Sequence, residues 1–137
     1  MVLLIDTNVL LDILQNRKPF YDAAYRVIKL CAENRARGYI AFHSVSNLWY
    51  ILREFSANAK REKLRDICNI LTVCTTGHHE VLQALDNTNF KDFEDCLQDE
   101  CALSVHADYI ITRNVGDFSN SRVKAITPAD FLERHAK

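Results

Sequence analysis

The chain has 137 residues, the size of one ordinary domain, and predicts one. Its 17 basic and 18 acidic side chains nearly cancel, which excludes a global field that would draw in a polyanion, so any such partner has to be met locally. The five cysteines form no Cys-x-x-Cys pair, and with no secretory leader pattern and no apolar run of membrane-spanning length they predict a reducing, cytoplasmic setting without a membrane partner.

Val2-Leu3-Leu4-Ile5 predicts a buried strand that stops at Asp6-Thr7-Asn8, followed by helical spacing over 8–15. Behind Pro19 the spacing is helical again over 20–35, with Tyr21, Ala24, Tyr25, Ile28 and Cys31 on one face and Gly38 as terminator. Tyr39 to Phe42 predicts a second strand. Ser44 and Ser46 are candidate caps for the next helix, where Trp49 and Tyr50 in Leu-Trp-Tyr-Ile-Leu fit a packed face. Residues 58–71 predict an amphipathic helix whose Lys60, Arg61, Lys63 and Arg65 form a solvated basic face. A weak strand over 71–74 precedes a helix over 78–86 that starts at His78-His79. Phe90 to His106 is a long helical stretch in which Cys96 and Cys101 pack as small apolar residues. Strands over 109–112 and 123–126 follow, and Thr127-Pro128 caps the last helix. Strands that alternate with helices predict an α/β fold, a three-layer α/β/α sandwich around a parallel sheet.

Ligands of open α/β sheets bind at the carboxyl ends of the strands. Asp6 ends the first strand there, Asn47 follows the second, and Asn114 and Asp117 follow the strand at 109–112. Asp92, Asp95 and Asp99 are spaced three and four apart on one predicted helix face, with Glu94 directed elsewhere. Gathered carboxylates bind hard divalent cations that act on phosphates. The alternative is plainer: Asp6 caps its helix, and the other acids form a solvated face.

The segments LIDTNVLLD, SVSNLWYIL, DFEDCLQ and ADYIITRNVGDF, in this order and spacing, resemble the PIN-domain family across essentially the whole chain. The resemblance implies a metal-dependent endoribonuclease that cleaves single-stranded RNA with a metal-activated water, the toxin of a toxin–antitoxin pair in many members. It implies Asp6, Asp95 and Asp117 as ligands of Mg2+ or Mn2+, with Asn47 as a further catalytic position. Thr7, Thr112, Arg113, Asn114 and Asp92 then orient the ligands or meet substrate. RNA, a cognate antitoxin and a second copy of the chain are the implied partners.

Many members carry glutamate at the place of Asn47 and aspartate at the place of Asn114. An amide oxygen ligates without bringing charge, so three clear acids predict weaker metal binding. The same pattern leaves a second reading open, an inactive module of this fold that binds RNA or protein. Arg17, Lys18, Arg53, Lys91 and Arg113 are the cations placed to meet RNA. A haloacid-dehalogenase reading fails at Asn8, where a second acid is needed, and a receiver reading fails at Arg113, where a lysine is needed. His78-His79 lacks further ligands at metal spacing. His43 and His106 are read as edge or core histidines.

Overall fold

The computed structural model describes residues 1–135. Its strands are β1 (Val2–Ile5), β2 (Arg37–Ile40), β3 (Thr72–Val73), β4 (Tyr109–Ile111) and β5 (Ala125–Ile126). They form a parallel sheet in the order β3-β2-β1-β4-β5. The helices are α1 (Thr7–Leu14), α2 (Tyr21–Ala32), α3 (Phe42–Ile51), α4 (Ala57–Ile70), α5 (His78–Asp86), α6 (Phe93–Ser104) and α7 (Pro128–His135).

Leu3, Leu4 and Ile5 are all fully buried, because β1 is central and covered on both faces. Alternation along the strand splits them between two cores. Leu3 and Ile5 join Val9, Val27, Leu48 and Phe131 from α1, α2, α3 and α7. Leu4 meets Cys101, Ala102, Ile110 and Phe118 on the side of α6. The result is the expected three-layer α/β/α arrangement, with Cys96 and Cys101 buried as free thiols.

Several boundaries differ from the sequence reading. Gly38 lies inside β2, not at a helix end. A Cβ there would stand 2.4 Å from Leu71 Cδ2 and 2.8 Å from Cys31 Sγ, so the glycine admits close packing of α2 and the following chain onto the strand. The second strand therefore starts at Arg37, and Phe42 already belongs to α3. Ala41 occupies the cap position of α3, which moves Ser44 into the helix and buries it. Trp49 and Tyr50 are not core: only Leu48 and Leu52 of that run are fully buried, while Tyr50 is 76% exposed. Trp49 is half-buried and lies under Lys60 and Arg61 of α4. The end of the chain matches expectation, with Thr127 Oγ1 accepting from Asp130 N at 3.1 Å in the first turn of α7.

Candidate active site at the carboxyl end of the sheet

The strand order reverses at β1, whose neighbours β2 and β4 lie on opposite sides. Such a switch point opens a crevice at the carboxyl end of the central strand. Asp6 stands there, nine-tenths buried. Its side chain makes no cap hydrogen bond to α1, which removes the plain capping alternative. Instead Oδ2 accepts from Thr112 Oγ1 at 2.8 Å and Oδ1 accepts weakly from Gln98 Nε2 at 3.5 Å. Gln98 Nε2 also donates to Ser44 Oγ at 3.1 Å, and Thr7 Oγ1 donates to the same hydroxyl at 2.8 Å. One hydrogen-bonded frame from α1, α3, α6 and β4 thus fixes the carboxylate.

A cleft of about 380 Å³ opens over this frame. Asp6, Thr7, Asn47, Asp92, Asp95, Asn114 and Asp117 all line it, so the residues singled out from sequence converge on one place. Thr112 is fully buried beneath it, holding Asp6 and accepting from Asn114 N at 3.1 Å. Arg113 does not reach in: its Nε lies 2.8 Å from Asp12 and its guanidinium stacks on Phe20 at 4.3 Å. Among the described residues no lysine or arginine lines the cleft.

On α6 the expected face is partly wrong. Glu94 lines the cleft, where Asn47 Nδ2 donates to its Oε1 at 2.8 Å. Asp92 caps the helix through Glu94 N at 2.8 Å. Asp99 sits one turn beyond Asp95, about 6 Å further along the axis. There it is fully buried against Arg122, outside the cleft. Gln98, Ser44, His43 and Tyr50 also belong to the frame or lining and were missed. Gln98 was legible in principle, three residues after Asp95 and so on its side of the helix.

Five carboxylates without a cation among them perturb one another. Burial, then Asp92, Asp6, Asp117 and Glu94, push the Asp95 carboxyl up to about 7. Asp6 is pushed up as well, by burial first, against the hydrogen bond from Thr112. Burial lowers the His43 pKa. Apart from the His43 ring, the donors that line the cleft are oxygens, the set that a hard divalent cation takes. Gln98 Oε1 adds a buried oxygen with no hydrogen-bond partner. Among the described residues no three acid, histidine or cysteine side chains stand close enough to hold an ion as arranged. The residue chemistry fits a divalent cation, and holding one requires the acids to draw together.

Fold and cleft define the class: an α/β protein that gathers acids at the switch point of a parallel sheet. A family model described as PIN domain matches residues 2–116, and the chain belongs to that family. It is 25% identical over 134 residues to Ribonuclease VapC1 of Aquifex aeolicus, covering 95% of this chain and 92% of that protein. Two solved structures share the fold. VapBC2 from Rickettsia felis, bound to a promoter DNA fragment, aligns with a TM-score of 0.69 at 15% identity, covering 93% of this chain and 98% of that one. VapBC-1 from nontypeable Haemophilus influenzae gives 0.66 at 18% identity, covering 94% and 99%. Among the described residues no helix is long and apolar enough to cross a membrane.

Proposed function

We propose that the chain is an endoribonuclease that cleaves single-stranded RNA with Mg2+ or Mn2+ held by Asp6, Asp95 and Asp117. Convergence of five carboxylates on one cleft at the sheet's switch point, in a PIN-family chain, carries the reading. A bound divalent cation would supply charge neutralisation at the phosphate and activation of water. Around it, Thr112 and Gln98 fix both oxygens of Asp6, and Asn47 holds Glu94 beside them. Burial and the neighbouring acids push the Asp95 carboxyl up to about 7, and positive charge in the cleft would favour its ionised form. Without such charge the acid lining repels a phosphodiester, since among the described residues no lysine or arginine lines the cleft to offset it. A single strand is the substrate proposed, because its backbone can bend toward a recessed site where a regular duplex cannot. Tyr50 stands exposed at its rim and offers a ring on which a base stacks.

The test is cleavage of single-stranded RNA by purified protein with Mg2+ or Mn2+. Cleavage that survives EDTA or Asp6→Asn refutes the reading. The relatives, VapC1 and the VapBC complexes, support a toxin role with an antitoxin partner. Co-expression with the product of a small neighbouring gene that copurifies and silences the nuclease tests that role. A homodimer is proposed with it, checked by light scattering.

A second reading, an inactive module that binds RNA or protein, draws on the two amides Asn47 and Asn114 in the lining and on acids that do not yet close on an ion. RNA binding without cleavage at any divalent metal concentration supports it over the first.

A further inference from the structure

Asp117 is the acid of the cleft with the least support of its own. It rides on a 3-10 turn, Val115–Phe118, and is exposed. The segment 113–122 that carries it runs from β4 to the loop before β5, and an arginine stands at each end. Both side chains are turned into buried carboxylates.

At the first end Arg113 Nε lies 2.8 Å from Asp12 Oδ2, and Asp12 is fully buried in α1. Arg17 approaches the same carboxylate at 4.0 Å. Neither Asp12 oxygen has an aligned hydrogen bond, so this is a Coulombic contact at a fully buried carboxylate. Arg113 N donates to Asn8 Oδ1 at 3.3 Å, which ties the backbone to α1 as well.

At the second end Asp99 of α6 is fully buried. Its Oδ2 accepts from Arg122 Nε at 2.8 Å and lies 2.7 Å from Nη2, and its Oδ1 accepts from Ser121 Oγ and from Arg122 N at 3.0 Å. Arg122 Nη2 also donates to Glu100 Oε1 at 2.7 Å. Between the two ends, Phe118 is buried in the core beneath α6.

The two helices that receive the arginines are the two that carry the other acids of the cleft. Asp6 leads into α1, and Asp95 lies one turn before Asp99 on α6. We infer that Asp12 with Arg113, and Asp99 and Glu100 with Arg122, are positioning pairs that clamp the segment 113–122 to α1 and α6 and so set where Asn114 and Asp117 stand against Asp6 and Asp95. The inference rests on the metal-dependent reading above. It accounts for buried charge that the cleft does not use. A hydrophobic contact of similar size would hold the segment as firmly, but it would not fix direction as a planar guanidinium does. Residues that orient metal ligands change metal affinity by roughly tenfold to a hundredfold when lost.

The experiment titrates Mn2+ alone into the full chain by calorimetry, for wild type, Arg113→Lys, Arg122→Lys and the corresponding Gln variants, well below each variant's melting temperature. Lysine keeps a cation beside the buried carboxylates, so these two variants disturb the fold less than the Gln variants. Phe131→Leu, on the buried face of α7, serves as a control destabilised outside the segment. Both lysine variants are expected to bind Mn2+ about tenfold more weakly, with the control at the wild-type value. Wild-type Mn2+ affinity in either lysine variant, with a lowered melting temperature, overturns the inference and leaves that pair a purely structural role. Wild type that binds Mn2+ and cleaves no RNA refutes the nuclease and leaves the clamps standing. Wild type that binds no Mn2+ refutes both.

Discussion

Helix α6 carries two groups of acids one turn apart, and they are treated in opposite ways. Asp99 and Glu100 are buried but answered: Arg122 reaches both, and Ser121 and a backbone N–H complete the Asp99 shell. Asp95 and Glu94, with Asp92 at the start of the same helix, share the cleft with Asp6 and Asp117, and among the described residues no lysine or arginine lines it. Each acid of the first group has a guanidinium nitrogen within 2.8 Å, whereas those of the second have none, and burial with the neighbouring acids pushes the Asp95 carboxyl up to about 7. Acids by themselves do not mark a site. Acids left uncompensated inside a fold that elsewhere neutralises them do.

Substitution in each group should separate activity from stability. Asp6→Asn is expected to lower RNA cleavage about a thousandfold, roughly 4 kcal/mol at the barrier, with the melting temperature held or raised. Equal cleavage by the variant, at matched protein and Mn2+, breaks the comparison at its root. Asp99→Asn should do the reverse in kind. It leaves a partly exposed Arg122 paired with Glu100 alone and weakens the charge-assisted hydrogen bonds to Asp99, and is expected to cost about 2 kcal/mol in denaturant unfolding. A loss below about 1 kcal/mol would mean that the answered group is not what holds the segment down.

The sequence made one side of this comparison visible and hid the other. An apolar run ending in Asp6, and acids after the strand at 109–112, place three elements at one sheet edge by topology alone. Which acids on α6 face that edge depends on helix phase and on what covers the next turn. Asp99 shares the spacing of Asp92 and Asp95, yet the chain at 121–122 closes over it, and nothing local in the sequence announces that contact. Glu94 was set aside for the same reason, and Asn47 then meets it across the cleft. Ser44 was misread because a strand ending two residues early shifts the whole start of α3. Trp49 and Tyr50 carry the apolar character of core residues, and only the third dimension shows that Leu48 and Leu52 take the inward positions.

Removal of divalent cations sharpens the difference without any mutation. A ligand that binds only the folded state stabilises it by about 2.7 kcal/mol when present at a hundred times its dissociation constant. Thermal unfolding with and without EDTA should therefore shift by several degrees in wild type and by little in Asp6→Asn. An equal shift in both would place the cation outside the cleft.

The pH dependence is the finest test, because the two groups predict different slopes. A carboxyl whose folded pKa is raised binds protons more tightly in the folded than in the unfolded chain. Its protonation stabilises the fold fully below the unfolded value of 3.8, and that stability is lost as pH rises toward about 7. Asp95→Asn removes the charge and with it the repulsion. Without divalent cations the variant is expected to be more stable than wild type at pH 8 by about 1–2 kcal/mol, a figure reduced from the full shift because the side chain keeps some solvent and its neighbours relax. The advantage should shrink through pH 6 and vanish near pH 4, where wild type carries the proton itself. Mn2+ at pH 8 should reverse the order, since the cation stabilises the charged wild type more than the amide. If instead the variant is less stable than wild type at pH 8 in EDTA, Asp95 is answered by a partner after all, and the cleft differs from the Asp99 cluster in shape only.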